Sequence, residues 1–108
     1  MKTYEGKRQG YAVSVTVDGR RLNPRQDLWN HSPDGFEWGY GGSGPAQLAL
    51  AILADHCRDA EQVLTFYQRF KWAVVAGLPH RGWTLTSDDI TVVLHELREQ
   101  EVLAGGGA

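Results

Sequence analysis

Apolar residues change rhythm along this chain. Val13, Val15 and Val17 alternate with Ala12, Ser14 and Thr16, a period of two that predicts a strand with one apolar face. Asp18-Gly19 supplies the positive φ of a tight hairpin turn, so residues 3–22 read as a meander. From Asn23 to Gly35 the signals are Asn-Pro, Ser-Pro and Asp-Gly, all turn chemistry, with Leu28 and Trp29 available as anchors. Phe36, Trp38 and Tyr40 then alternate with Glu37 and Gly39, which predicts a strand with an aromatic face.

After Gly41-Gly42-Ser43-Gly44-Pro45 the rhythm disappears. Residues 46–55 are apolar nearly all round and rich in strong helix formers, which predicts a short helix at the buried centre. Asp59 caps a second helix to about Ala76, where Ala60, Val63, Leu64, Tyr67, Phe70, Val74 and Val75 follow a 3.6-residue period. Gly77 and Pro79 stop it. Trp83-Thr84-Leu85 is a short extended piece, and Thr86 with Asp89 forms a capping-box pattern for a third helix with the stripe Ile90, Val93, Leu94 and Leu97. Strands followed by helices without βαβ alternation indicate α+β: a small, mainly antiparallel sheet, meander plus aromatic strand, packed against about three helices. At 108 residues the expected organisation is a single globular domain over 1–103 with a flexible tail at 104–108.

Composition narrows the function classes. The chain is 42% hydrophobic and 22% charged, which is ordinary globular usage and argues against disorder. One cysteine excludes an internal disulfide. With no signal-like apolar stretch near Met1 and no long apolar run, the expectation is a cytoplasmic protein without a membrane partner. A net charge of −2 disfavours a general nucleic-acid binder. Residues 1–25 nevertheless carry a local +4 and the remainder −6, so an anionic partner would meet the N-terminal third first, unless a basic sheet covers acidic helices of the same or a neighbouring molecule.

Several motifs fit by spacing and fail by context. Gly39, Gly41 and Gly44 match G-x-G-x-x-G between a predicted strand and helix, but a second helix follows where a dinucleotide fold needs a parallel strand. Pro45-Ala46 stand where a P-loop needs Lys and Ser/Thr, and Pro45 replaces the last glycine of a nucleophile elbow around Ser43. Cys57 and His56 are adjacent and do not share a helix face, and the four histidines lack paired metal spacing, so no metal or cofactor is expected. What the glycines permit is close approach of backbone to a ligand. With Pro45 at the first helical position, free N–H groups at the helix start would face an anion. The alternative is packing: Ser43 or Gly44 caps the helix and an aromatic or a neighbouring backbone rests on the glycines. His31 stabilises a turn or contributes to a site, Glu37 is a general base or a partner for arginine, and the aromatics, Trp29, Trp72 and Trp83 included, are core or a stacking surface.

The segment Asn30-His31-Ser32-Pro33, Gly35-Phe36-Glu37-Trp38-Gly39-Tyr40-Gly41-Gly42-Ser43-Gly44-Pro45-Ala46-Gln47 and the run Leu48 to Leu53 resembles the signature of a family of small proteins, domain of unknown function 6166, scattered over bacterial, phage and plasmid genomes. The hairpin from Tyr4 to Leu22 and the helix around Tyr67 to Lys71 are similar too, and residues beyond Leu97 fall outside the resemblance. It implies a self-contained domain carried by mobile elements, where small proteins bind and disable a host or rival system, and it transfers no catalytic residue.

Together these point to a non-catalytic binding module, an inhibitor or sequestering protein whose loop 30–47 forms the recognition surface. The ligand-binding candidates are Asn30, His31, Ser32, Glu37, Tyr40, Gly41, Gly42, Ser43, Gly44 and Gln47. A protein partner would meet the exposed loop and aromatics. A phosphate-bearing, nucleotide-like small molecule would meet the glycines, with Arg20, Arg21 or Arg25 completing the charge. The enzyme alternative is a small hydrolase using His31 and Glu37. A purely structural or interaction domain is the third reading, and an exposed apolar side would make the chain a homodimer.

Overall fold

A computed structural model of the chain describes residues 1–105, the last two as helical backbone only. Strands β1 (Thr3–Gln9), β2 (Ala12–Val17) and β3 (Arg20–Arg21) are followed by helices α1 (Ser43–His56) and α2 (Ala60–Ala73), a 3-10 turn (Val75–Gly77), strand β4 (Gly82–Thr86) and helix α3 (Ser87–Gly105). The strands form one antiparallel sheet in the order β3-β2-β1-β4, so the fold is α+β, with three helices and a four-stranded sheet.

The meander forms for the reason its alternation implies. Val15 and Val17 are buried opposite Gly6 and Tyr4 of β1, while Ala12 and Ser14 face solvent. Asp18 (φ 49°) and Gly19 (φ 81°) take the left-handed geometry of a two-residue hairpin turn, and the Asp18 carboxylate accepts from the Thr3 N–H at 2.8 Å. On the far side of β1, Trp83 of β4 lies opposite Gly6 and spreads its indole over it; a Cβ at Gly6 would come within 2.3 Å of the ring.

The sheet departs from expectation at its fourth strand, which is Gly82–Thr86 rather than Phe36–Tyr40. Residues 36–40 run as irregular chain because Gly35 (φ 109°) and Gly39 (φ 88°) break the pleat at both ends of the aromatic alternation. The three rings therefore do not share a face: Trp38 is buried, Phe36 is partly buried and Tyr40 points to solvent. Trp38 holds the segment by donating its indole N–H to the carbonyls of Pro79 (2.9 Å) and His80 (3.1 Å) and by meeting Trp83 edge to face at 5.6 Å.

Helix α1 is the centre. Every residue from Gly44 to Leu53 is buried, so the absence of a polar face reflects cover on all sides. Its N-cap is Gly42, one residue earlier than a Ser43 cap and two earlier than a Gly44 cap, which puts Pro45 third in the helix rather than first. At its other end Asp55 accepts from the Tyr4 hydroxyl at 2.6 Å and from Lys2 Nζ at 3.1 Å, pinning the sheet to the helix. Asp59 caps α2 by accepting from the Glu61 N–H, though the α-helix ends at Ala73 and the next residues tighten into the 3-10 turn. Thr86 and Asp89 exchange the two hydrogen bonds of a capping box, and Ile90, Leu94 and Leu97 of α3 are buried. The tail expected at 104–108 lies beyond the described side chains.

Because Ile52 is fully buried on a helix with no solvent face, Ile52→Asp strands a carboxylate in the core, at a cost of several kcal/mol that a domain of this size does not tolerate. The expected result is loss of near-ultraviolet circular dichroism and of soluble protein. A soluble, cooperatively melting Ile52→Asp variant would contradict the central placement of α1.

Candidate functional site

The loop ahead of α1 is held by one side chain. Gln47, near the start of an otherwise apolar helix, is fully buried, and its amide is saturated. Its Oε1 accepts from the backbone N–H of His31 (2.7 Å) and of Ser32 (3.1 Å), while Nε2 donates to the carbonyls of Pro24 (2.6 Å) and Trp29 (3.1 Å). An irregular loop has no ladder partners for its backbone, so a buried amide with two donors and two acceptors substitutes for one. The clasp leaves Trp29 exposed and holds the half-buried His31 beside it.

That pair joins α2. The His31 imidazole stacks on Trp29 with centroids 5.8 Å apart, and its Nε2 shares a hydrogen with the Tyr67 hydroxyl at 2.7 Å. Burial, and then the nearby Lys71 ammonium, hold the His31 pKa below its usual value, so the ring is neutral at neutral pH. Lys71 lies one turn after Tyr67 and places Nζ 4.4 Å from the centre of the Trp72 ring. Trp72 in turn rests on the glycine segment, since a Cβ at Gly41 would meet its ring at 2.1 Å. Tyr40 folds over Gly42 in the same manner. Trp29 (57% exposed), Tyr40 (53%) and Trp72 (65%) thus present large aromatic surfaces to solvent around loop 30–47 and α2.

The glycine segment serves close approach of side chains. Gly44 is buried against Glu37, whose Cβ and N would lie 2.7 and 3.2 Å from an added Cβ. Gly42 is extended (φ −157°), so its lack of a side chain is not required by backbone strain. Ser43 is exposed in the first turn of α1 without a side-chain cap bond, and Asn30 is exposed on the clasped loop.

Glu37 belongs to a different network. Arg8 grips its carboxylate with two bonds of 3.0 and 2.6 Å, donates Nε–H to the His80 carbonyl at 2.9 Å and lays its guanidinium 4.7 Å from the Trp38 ring centre. Arg8 thereby holds the Glu37 carboxyl below the usual carboxylate range. His31 and Glu37 share no hydrogen-bond partner among the described residues. The remaining arginine candidates sit apart as well: Arg20 and Arg21 are exposed on β3, and Arg25, in a left-handed conformation (φ 55°), pairs with Asp27 at 3.0 Å. A cavity of about 610 Å³ that Arg21 lines runs along β2 to Asp34, Gly35 and Phe36, and its lining does not include Gly41, Gly42 or Gly44.

Lys71, a candidate for the site, and Arg8, the structural partner of Glu37, are the residues that composition and motif spacing missed, and both had a signal. Arg8 continues the period-two face of Tyr4 and Gly6, and Lys71 falls on the buried stripe with Tyr67 and Phe70, where a charge is out of place.

Fold and surface together define a small α+β domain with an aromatic-rimmed, clasped loop. The chain belongs to the family of unknown function DUF6166, whose model matches residues 4–96. No curated protein and no solved structure matches it. Among the described residues no helix is long and apolar enough to cross a membrane.

Gly44→Ala must push against the Glu37 backbone and should lower stability by about 1–3 kcal/mol, whereas Gly42→Asp needs only the exposed Tyr40 ring to swing aside and installs a favourable helix cap, so its melting temperature should hold or rise. Thermal melts of the two variants check the contrast. For His31, whose folded pKa is depressed, the unfolded chain binds the proton more readily; stability is complete above about pH 6.5 and falls as pH drops. His56, depressed by burial first, contributes in the same direction. Urea midpoints at about pH 7.5 and about pH 5.5 should fall for the wild type and fall less for His31→Gln.

Proposed function

We propose that this protein is a non-catalytic binding module that captures a protein partner on the surface formed by loop 30–47 and α2. The observation that carries this reading is the exposure of Trp29, Tyr40 and Trp72 around one loop, with Trp29 placed by a four-bond glutamine clasp, Trp72 by a helix, and glycines under the Tyr40 and Trp72 rings. Rigid, exposed tryptophan and tyrosine are the side chains that dominate interface energies, because they bury large area at little entropic cost. A flat aromatic face suits a macromolecule better than a small molecule, which needs enclosure. The pairing of Glu37 with Arg8 and of His31 with Tyr67 supports binding over hydrolysis, since each group is engaged elsewhere. Sequestration or inhibition of the partner is the mode we infer, because the surface offers contact area without a reacting group.

A second reading, a small anionic molecule, draws on the cavity of about 610 Å³ lined by Val13, Val15, Arg21, Leu22 and Phe36, a volume suited to such ligands. Thermal-shift screening with nucleotides and phosphate separates it: a ligand at about 100 times its Kd would add about 2.7 kcal/mol.

For the leading reading, Trp29→Ala, Tyr40→Ala and Trp72→Ala should each leave the melting temperature nearly unchanged, while each weakens capture of a specific protein from a cell lysate by about 2 kcal/mol. Quantified pull-down with the triple variant is the measurement. Undiminished capture of the same protein by the triple variant would move the interface elsewhere.

A further inference from the structure

Gln47 and Lys71 are the buried polar side chains among the described residues, and they are opposites. Gln47 has four hydrogen-bond partners, whereas Lys71 has neither a hydrogen bond nor an ion pair among those residues. No carboxylate among the described residues lies within 4.0 Å of its ammonium, and Glu37, Asp27, Asp55 and Glu101 are paired with Arg8, Arg25, Lys2 and Arg69. Lys71 is 8% exposed, so its stem is packed and only its end reaches the surface, beside the Trp72 ring. Partial desolvation of an ammonium is unfavourable without a counter-charge, and it strengthens the attraction for any anion that arrives.

We infer that Lys71 anchors a carboxylate carried by an acidic segment of the partner protein, with Trp29 and Trp72 covering the flanks of that segment. This rests on the binding surface proposed above and assigns its charge chemistry. Ring stacking and the His31–Tyr67 bond join Trp29, His31 and Tyr67, the contact of ammonium with indole joins Lys71 and Trp72, and Tyr67 and Lys71 lie one turn apart on α2. A lone ammonium is a point charge suited to one carboxylate, whereas tight phosphate recognition recruits several donors. None of the residues so joined lines the described cavities, which favours an extended segment over a free anion. The groups facing His31 from α2 are Tyr67 and Lys71, and a bound carboxylate would offset the Lys71 charge there. Binding should therefore strengthen as pH falls toward the range where His31 protonates.

Hexaglutamate is the probe, followed by the indole N–H signals of Trp29 and Trp72 in two-dimensional nuclear magnetic resonance, with inorganic phosphate as the comparison. Saturable shifts of both signals are expected, weakening by about tenfold in Lys71→Met and in Lys71→Gln and persisting in Lys71→Arg. Lys71→Met should also melt a few degrees higher, because it replaces an unpaired, partly desolvated ammonium with an apolar end. Equal hexaglutamate affinity in the folded Lys71→Gln variant, a lower melting temperature for Lys71→Met, or tighter binding of phosphate at the same signals would each overturn the assignment. Undiminished lysate capture by Lys71→Gln would remove the carboxylate anchor while leaving the aromatic surface in place, so the two proposals fail separately.

Discussion

A helix without a polar face has to be covered on every side, and the architecture of this protein follows from that requirement. The sheet covers α1 on one flank, α2 packs along another, and the irregular chain from Leu22 to Trp38 closes what remains. Irregular backbone pressed against a helix brings unsatisfied N–H and C=O groups with it. Gln47 resolves that conflict, because its amide presents two donors and two acceptors to the loop from a position that is otherwise surrounded by Leu, Ile and Ala. Burial of α1 and ordering of loop 24–32 are thus one event.

The surface inherits its rigidity from that core. Trp29 and His31 are placed by the clasp, Tyr67 and Trp72 by α2, and the glycines at 41 and 42 give the rings a flat backbone to lie on. A second set of contacts serves stability alone: Arg8 joins Glu37, the His80 carbonyl and the Trp38 ring, tying β1 to the 36–40 chain and to the entry of β4. Glu37 and His31, close in sequence, are therefore sent to different tasks.

Local rules accounted for the elements whose partners are local. The Val13–Val17 alternation, the Asp18-Gly19 turn, the Asp59 cap, the Thr86–Asp89 box and the α3 stripe depend on neighbours within a few residues, and each forms as the pattern requires. The 36–40 segment failed the same logic, because alternation reports which side chains could share a face and says nothing about where the backbone finds hydrogen bonds. Gly39 donates to the Val75 carbonyl, far along the chain, and no strand among the described residues pairs with it.

The sequence by itself determined the α+β class, the central position of α1, the family, and the concentration of aromatic and glycine residues in loop 30–47, since each is a property of composition or period. Tertiary structure alone decided which of those residues act together. Gln47 became a clasp because its partners come from 15 to 23 residues away, and Lys71 an unpaired cation because its helix packs it into the fold without a counter-charge; burial converts such polar side chains from solvated groups into ones whose partners must come from the fold or from another molecule.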